Sequence, residues 1–287
     1  MNPSMNKAEK ILDAMTDLPP PPHVACKLME LLRSSRQSND EVVQTIRYDA
    51  VLTAKLLKTC NSAFWARSEP VGSVDTAVMR LGYQEVSRIV LALSVGSSLA
   101  RENKAYGVSA RELWHHSVIT AIASQKLVTV ARSIVVEPSV AFTAGLLHDI
   151  GKMVLGRSML PEVDKIRAQI EQNGKSWLEA ETDVLGVNHA EIGACLLSRW
   201  KLPPVVVEAV ANHHEPPVDQ GATLSAVVHL ADGCAHFVGS SYGWNSLAAR
   251  MGSGVIEALG MNPDEIEKTM IHVHNESDRI KGFMAVV

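Results

Sequence analysis

The chain has no C-x-x-C pair. Its four cysteines, Cys26, Cys60, Cys195 and Cys234, are scattered over 287 residues. That spacing excludes a zinc ribbon and argues against a disulfide scaffold, so reduced, buried thiols are expected. No apolar run approaches the roughly 20 residues needed to span a bilayer. The opening MNPSMNKAEKILDAM has neither the apolar core nor the cleavage site of a signal peptide. These absences lead to the expectation of a cytoplasmic protein with no membrane partner. There is no lysine or arginine run, and the formal net charge is -4, so nothing electrostatic invites nucleic acid. No alternating strand pattern of useful length and no hairpin signal is found.

What is present reads at helical period. With 46% hydrophobic and 20% charged residues the composition is that of a soluble globular protein, long enough for two domains. Ser38 and Glu41 form an S-x-x-E capping box ahead of Val42, Val43 and Ile46. Asp49 is placed to cap a helix carrying Ala50, Ala54 and Leu57, and Asn61 at its end is expected to be structural, in left-handed geometry or bonded to neighbouring backbone. A helix from Ser73 to Leu81 stops at Gly82. The next presents Val86, Ile89, Val90 and Leu93 as a core-facing stripe. The polar stretch RENKAYGVS (101–109) is the best internal boundary. It predicts an N-terminal lobe over 1–106 and a second lobe over 107–287.

In the second lobe, Ser109 with Glu112 predicts a helix through about residue 131, and Pro138 opens one that runs to His148. Capping pairs Ser176/Glu179 and Asn188/Glu191 start two more. Pro203 and Pro204 launch a helix expected to carry His213 and His214, and residues 223–238 form another around Asp232. The fold class is all-α, two packed helical bundles. The LPPPP run at 18–22 reads as a rigid spacer, with a polyproline ligand as the alternative.

His115, His116, His148, His189, His213 and His214 fall in the second half, near Asp149 and Asp232. Glu112 lies one helical turn before His116 on the same face, although it also serves as the third residue of its capping box. Lys152 follows the His148-Asp149 pair, and a lysine complementing a helix dipole is its plainer role. His23, His229, His236, His272 and His274 are assigned ordinary roles. Several imidazoles and carboxylates buried together without counter-ions are costly. A divalent cation removes that cost, and a mixed nitrogen and oxygen set suits iron, manganese or zinc. A histidine-rich pocket held by hydrogen bonds alone is the alternative.

The stretches LPPPPHVACKLMELL, IRYDAVLTAKLLKTCNSAFW, LWHHSVITA, AGLLHDIGK, NHAEIGACLLSRWKLPPVVVEAVANHHEP and VVHLADG occur in that order. Together they resemble, over nearly the whole chain, the HDOD domain, the HD-related output domain of bacterial signalling proteins. The resemblance implies kinship with HD and HD-GYP phosphohydrolases and, for most members, a non-catalytic regulatory or interaction role. Carried onto this sequence, it makes His116 the first histidine, His148 and Asp149 the HD pair and Lys152 the lysine after it. His189, His213 and His214 match the later histidines, and Asp232 the final aspartate. Glu112 falls where some HD-GYP enzymes place a carboxylate for a third metal.

The set of seven, His116, His148, Asp149, His189, His213, His214 and Asp232, would hold one or two divalent transition-metal ions, with Lys152 as a phosphate contact if the site is active. After Glu215 comes PPVDQG where the cyclic-di-GMP phosphodiesterases carry a DG..GYP loop, which argues against that substrate. The resemblance therefore implies a stand-alone regulatory protein that meets signalling proteins in trans, with a homodimer left open. A metal-dependent phosphohydrolase and a receptor for a nucleotide second messenger are the alternatives.

Overall fold

Apolar stripes broken by caps and prolines should give short helices joined by turns, and they do. The computed structural model describes residues 3–15, 43–44, 46–61, 70–99, 102–109, 111–240 and 253–284. Among the described residues the regular elements are all helical, apart from one isolated bridge between Asn103 and Val108. Cys26, the LPPPP run and the Ser38/Glu41 capping pair lie outside the described residues. No helix among the described residues is long and apolar enough to cross a membrane. Cys60, Cys195 and Cys234 are free and buried, and burial pushes the thiols of Cys60 and Cys234 up to about 11 and about 12.

The chain divides into two units, residues 1–19 with 101–273 and residues 20–100 with 274–287. The smaller contains α2 (Ala50–Cys60), α3 (Val74–Leu81) and α4 (Tyr83–Leu99). Asp49 accepts the Leu52 N–H at 2.9 Å and starts α2, and Ser73 does the same for α3 at Thr76. Gly82, at φ +80, ends α3 in a conformation other side chains resist. Val86, Ile89, Val90 and Leu93 are all buried, as their stripe predicts. Asn61 is not left-handed (φ −94). Its side chain instead bonds both backbone groups of Val71, at 2.7 and 2.9 Å.

The larger unit holds α1 (Pro3–Ala14) and then α5 (Glu112–Val130), α6 (Pro138–Leu147), α7 (Ile150–Ser158), α8 (Val163–Asn173), α9 (Trp177–Leu185), α10 (His189–Arg199), α11 (Pro204–Ala211), α12 (Leu224–Phe237) and α13 (Ser253–Ala258), with the start of α14 (Pro263–Met284). α1 packs on α10, with Ala8 and Leu12 buried and Arg199 reaching Asp13 at 2.8 Å and the Glu9 carbonyl at 3.1 Å. The first residues therefore group with the later chain, where the sequence division at 106 put them with the earlier part.

Pro138 stands in the first turn of α6, and the capping boxes of α9 and α10 are both complete. The one predicted at Ser109 is only half formed. Glu112 Oε2 accepts the Ser109 N–H, but Arg111, at φ +79, turns the chain just before α5, and the Ser109 hydroxyl does not cap it.

Close approach of backbones sets the helix spacing around the HD pair. A Cβ on Gly145 of α6 would lie 2.5–2.9 Å from Ser124, Thr120 and Ala121 of α5. A Cβ on Gly151 of α7 would lie 1.8 Å from the His189 carbonyl and 2.7 Å from the Gly193 nitrogen of α10. α5 and α6 therefore meet along small residues, as do α7 and α10, and the side chains at their ends converge.

Candidate metal centre

Five segments supply the cluster. α5 carries His116 in its buried face. His148 and Asp149 occupy the joint between α6 and α7, and Lys152 lies in the first turn of α7. His189 is the first residue of α10, and Asp232 lies on α12. His213 and His214 are not on α11, which ends at Ala211. They follow its cap residue Asn212 in a turn whose His213 carbonyl is held by His229 Nδ1 at 2.8 Å. Adjacent residues on a helix point about 100° apart, so leaving the helix lets both rings face one space, with centroids 4.0 Å apart.

The site residues inferred from sequence come together. His189 Nε2 and His213 Nε2 lie 3.5 and 3.8 Å from Asp149 Oδ1, while His148 Nε2 lies 3.3 Å and Lys152 Nζ 2.7 Å from Oδ2. The Asp149 carboxylate thus turns one oxygen to each of two histidine groups. His116 Nε2 meets Asp232 Oδ1 at 2.8 Å, with His148 Nε2 3.7 Å from the same oxygen. His189 Nε2 and His214 Nε2 are 2.7 Å apart.

Among the described residues, three sets could hold an ion. They are Asp149, His189, His213 and His214, then His116, His148 and Asp149, and finally His116, Asp232 and His236. Glu112 does not join them, being exposed and bonded to Ser109. His115 bonds the Ser240 hydroxyl at 2.9 Å instead.

The chemistry of the donor set fits a cation. The Nδ1 atoms of His116, His148 and His213 donate to the carbonyls of Ser240, Gly145 and Val210 at 2.7–2.8 Å. His189 Nδ1 donates to Glu181 at 2.7 Å. A neutral imidazole with Nδ1–H has its lone pair on Nε2, and these Nε2 atoms all turn toward the carboxylates or another ring. Lone pairs facing carboxylate oxygens this closely require a second ring proton or a cation between them. Among the described residues, His148 Nε2 and His213 Nε2 are buried and find no hydrogen-bond partner. Ligand atoms about 2.1 Å from a tetrahedral ion stand about 3.4 Å apart, close to the 3.3–3.8 Å separations around Asp149.

Electrostatics keeps most of the set in ligand form. Burial opposes the charge of Asp149, but Lys152 and His148 hold its carboxyl well below the usual range. Burial likewise opposes Asp232, and His116 and His236 hold it down. Burial and the neighbouring rings depress His213 to about 3 and His214 well below the usual histidine value. Burial lowers His148 too, but the adjacent Asp149 charge outweighs it and the net shift is upward.

Sequence reasoning left two participants out. His236, given an ordinary role, lies one turn after Asp232 with Nε2 3.4 Å from Asp232 Oδ1, and burial lowers it to about 4. The i,i+4 spacing from Asp232 was the available signal. Glu181 is wholly buried behind His189. Its signal was a carboxylate on the Trp177–Ala180–Glu181 face of α9, where an apolar side chain would be expected.

The HDOD domain profile matches residues 18–216 of this sequence, a stretch that includes six of the seven candidate residues and stops short of Asp232. An uncharacterized protein of Treponema pallidum is 26% identical over 214 residues, 73% of this chain and 40% of its own length. Ribonuclease Y of Opitutus terrae is 34% identical over 117 residues, 41% of this chain and 16% of its own. The chain thus spans less than half the length of these curated relatives. Among solved structures, an HDOD domain protein of unknown function from Geobacter sulfurreducens superposes with a TM-score of 0.74 at 21% identity, over 96% of this chain and 97% of that one.

Proposed function

The chain belongs to the HDOD-domain family, and from that premise we propose that it is a metal-binding regulatory module acting on signalling proteins in trans rather than on a substrate. The ligands in this reading are His116, His148, Asp149 and Asp232 at one end and Asp149, His189, His213 and His214 at the other, with Asp149 shared. Iron, manganese or zinc suits this mixture of imidazole and carboxylate.

One observation carries the regulatory reading: the cluster is nearly sealed. His148 and His189 are 0% exposed and Asp149 and His213 1%. Of the cluster, only Asp232, His214 and His236 are half-buried. An ion held at the Asp149 end would brace α6, α7, α10 and the turn after α11 from inside, and change little at the surface except how firmly those elements are held. That is the behaviour of a structural or sensory ion. The same elements, in a soluble cytoplasmic setting, would present the surface that partners read.

A second reading, a metal-dependent phosphohydrolase, is favoured by the two-sided disposition of Asp149. A pair of ions bound there would supply an activated water and charge stabilisation for a phosphoryl group. The ribonuclease Y match points the same way. Lys152 would then serve as a phosphate contact, although its ammonium is already engaged with Asp149 Oδ2.

Elemental analysis of untagged protein, paired with hydrolysis of bis-p-nitrophenyl phosphate in the presence of Mn, Fe or Zn, separates the readings. Two ions per chain with no hydrolysis above that of the ions alone is the expected result. Hydrolysis that Asp149→Asn abolishes would establish the phosphohydrolase instead. Protein that takes up no ion would remove both.

A further inference from the structure

Behind the histidines, on the side away from the shared Asp149 carboxylate, lies a second buried carboxylate. Glu181 is 0% exposed. Its Oε2 accepts both the backbone N–H of His189, at 2.8 Å, and His189 Nδ1, at 2.7 Å. Its Oε1 accepts the Tyr106 hydroxyl at 2.6 Å. Tyr106 is 3% exposed and packs its ring 5.2 Å from that of Trp177. Burial and then the Glu181 charge push its hydroxyl well above the usual tyrosine range, so it stays a donor.

The local sequence builds this arrangement twice over. The Ser176/Glu179 box fixes the start of α9, which puts Trp177 and Glu181 on its inner face. Gly186, at φ +65, then turns the chain, and the Asn188/Glu191 box starts α10 at His189. The first N–H groups of a helix have no partner within it, and they favour a negative charge. Glu181 meets one of them and orients the ring of the same residue.

We propose that Glu181 is the positioning residue for an ion at the His189 end of the cluster, with Tyr106 holding it in place. The inference rests on the metal-binding reading above. A carboxylate behind a ligating histidine fixes its tautomer, aims its second nitrogen and makes that nitrogen a better donor. At the His116 end, by contrast, His116 Nδ1 and His148 Nδ1 donate to backbone carbonyls. The two ends therefore differ in kind, and disturbing Glu181 acts on one of them.

Tyr106 adds a link along the chain. It belongs to a short strap, residues 103–108, closed by mutual backbone hydrogen bonds between Asn103 and Val108 at 2.9 and 3.0 Å. Asn103 also donates to the Lys152 carbonyl at 2.8 Å. The strap joins the positioning residue of the His189 end to the helix that follows the HD pair.

Cobalt(II) titration of metal-free, untagged full-length protein, followed by visible absorbance and calorimetry, tests this. Wild type is expected to bind two ions, and Glu181→Gln should weaken one of them by roughly 10- to 100-fold, with a changed cobalt spectrum and the other affinity kept. Tyr106→Phe should weaken the same ion by a few-fold. It also decides the matter alone if Glu181→Gln does not fold. Equal loss at both ions would mean a merely structural role and overturn the proposal, as would unchanged affinities in folded Glu181→Gln or, should that variant not fold, in Tyr106→Phe. Wild type that binds no cobalt would instead overturn the metal-binding reading on which the proposal rests.

Discussion

Gly151→Ala adds one methyl group at the tightest backbone contact around the cluster. The new Cβ would stand 1.8 Å from the His189 carbonyl oxygen and 2.7 Å from the Gly193 nitrogen. Ordinary contact begins near 3.4 Å, so α7 and α10 must separate by roughly an ångström or more. The atoms in the way are backbone, so no side-chain rotation relieves the clash. Overpacking of this kind costs typically about 1–3 kcal/mol, and the better helix propensity of alanine returns at most about 1 kcal/mol. Because backbone cannot rotate away, the upper end of that cost applies, and a net loss of about 2 kcal/mol is expected. For a unit of this size that lowers the melting temperature by about 4–8 °C.

The functional effect should be sharper than the thermal one, because the obstructing carbonyl belongs to His189 itself. Moving it draws Nε2 away from its 3.5 Å approach to Asp149 Oδ1, so the ion at that end should weaken while the His116 end changes less. Gly254→Ala is the control. Gly254 is exposed on α13, has nothing within 4 Å of its Cβ position and should leave metal uptake unchanged. A Gly151→Ala protein that melts within a degree of wild type and binds metal as wild type does would refute the argument that close approach of α7 and α10 sets the geometry.

Asp149→Asn should reduce metal at both ends, while His213→Ala should reduce it at one, as elemental analysis of the untagged variants would register. Asn61→Ala should cost about 1–2 kcal/mol in urea unfolding, since it removes two hydrogen bonds to Val71, with metal content unchanged. Acid should destabilise the metal-free protein well before the carboxylates titrate. His213 and His236 are depressed to about 3 and about 4, so between the unfolded histidine value near 6.5 and pH 5 the unfolded chain takes protons that the folded one refuses. Each group then costs about 2 kcal/mol at pH 5. The depressed His214 adds to this and the raised His148 opposes it. Chemical denaturation at pH 7 and pH 5 measures the sum, and stability that rose on acidification would contradict the buried, neutral state assigned to these rings.

Local chemistry was legible in the sequence wherever a few adjacent residues determine it. Asp49, Ser176 and Asn188 cap the helices they were expected to cap, because a cap needs only its own side chain and the next turn. Ser109 fails for an equally local reason that its motif does not encode, the left-handed turn at Arg111. The convergence of His116, His148, Asp149, His189, His213, His214 and Asp232 was reached through resemblance, since spacing cannot bring five segments together. The turn that carries His213 and His214 was misread as helix because Pro203 and Pro204 mark a beginning and nothing nearby marks an end. The end is set from outside, where His229 on α12 holds the His213 carbonyl. Glu181 was missed because a carboxylate in an apolar face looks like an interruption of the pattern until His189 and Tyr106 are seen around it.

The charges in this core explain why such a cluster can be folded at all. Among the described residues, Asp149, Asp232 and Glu181 bring three carboxylates together, and the Lys152 ammonium is ion-paired with Asp149. His213, His214 and His236 are depressed by burial and by neighbouring rings, so they do not supply positive charge to the carboxylates. The raised His148 can meet the carboxylate charge with a proton, or a divalent ion could meet it against the same nitrogen. A proton and a metal ion compete for the same lone pairs, so either can satisfy the buried carboxylates. An ion bound there would add stability by mass action. Under the metal-binding reading proposed above, exchange of a proton and an ion at His148 is how such a module would release and retake its metal.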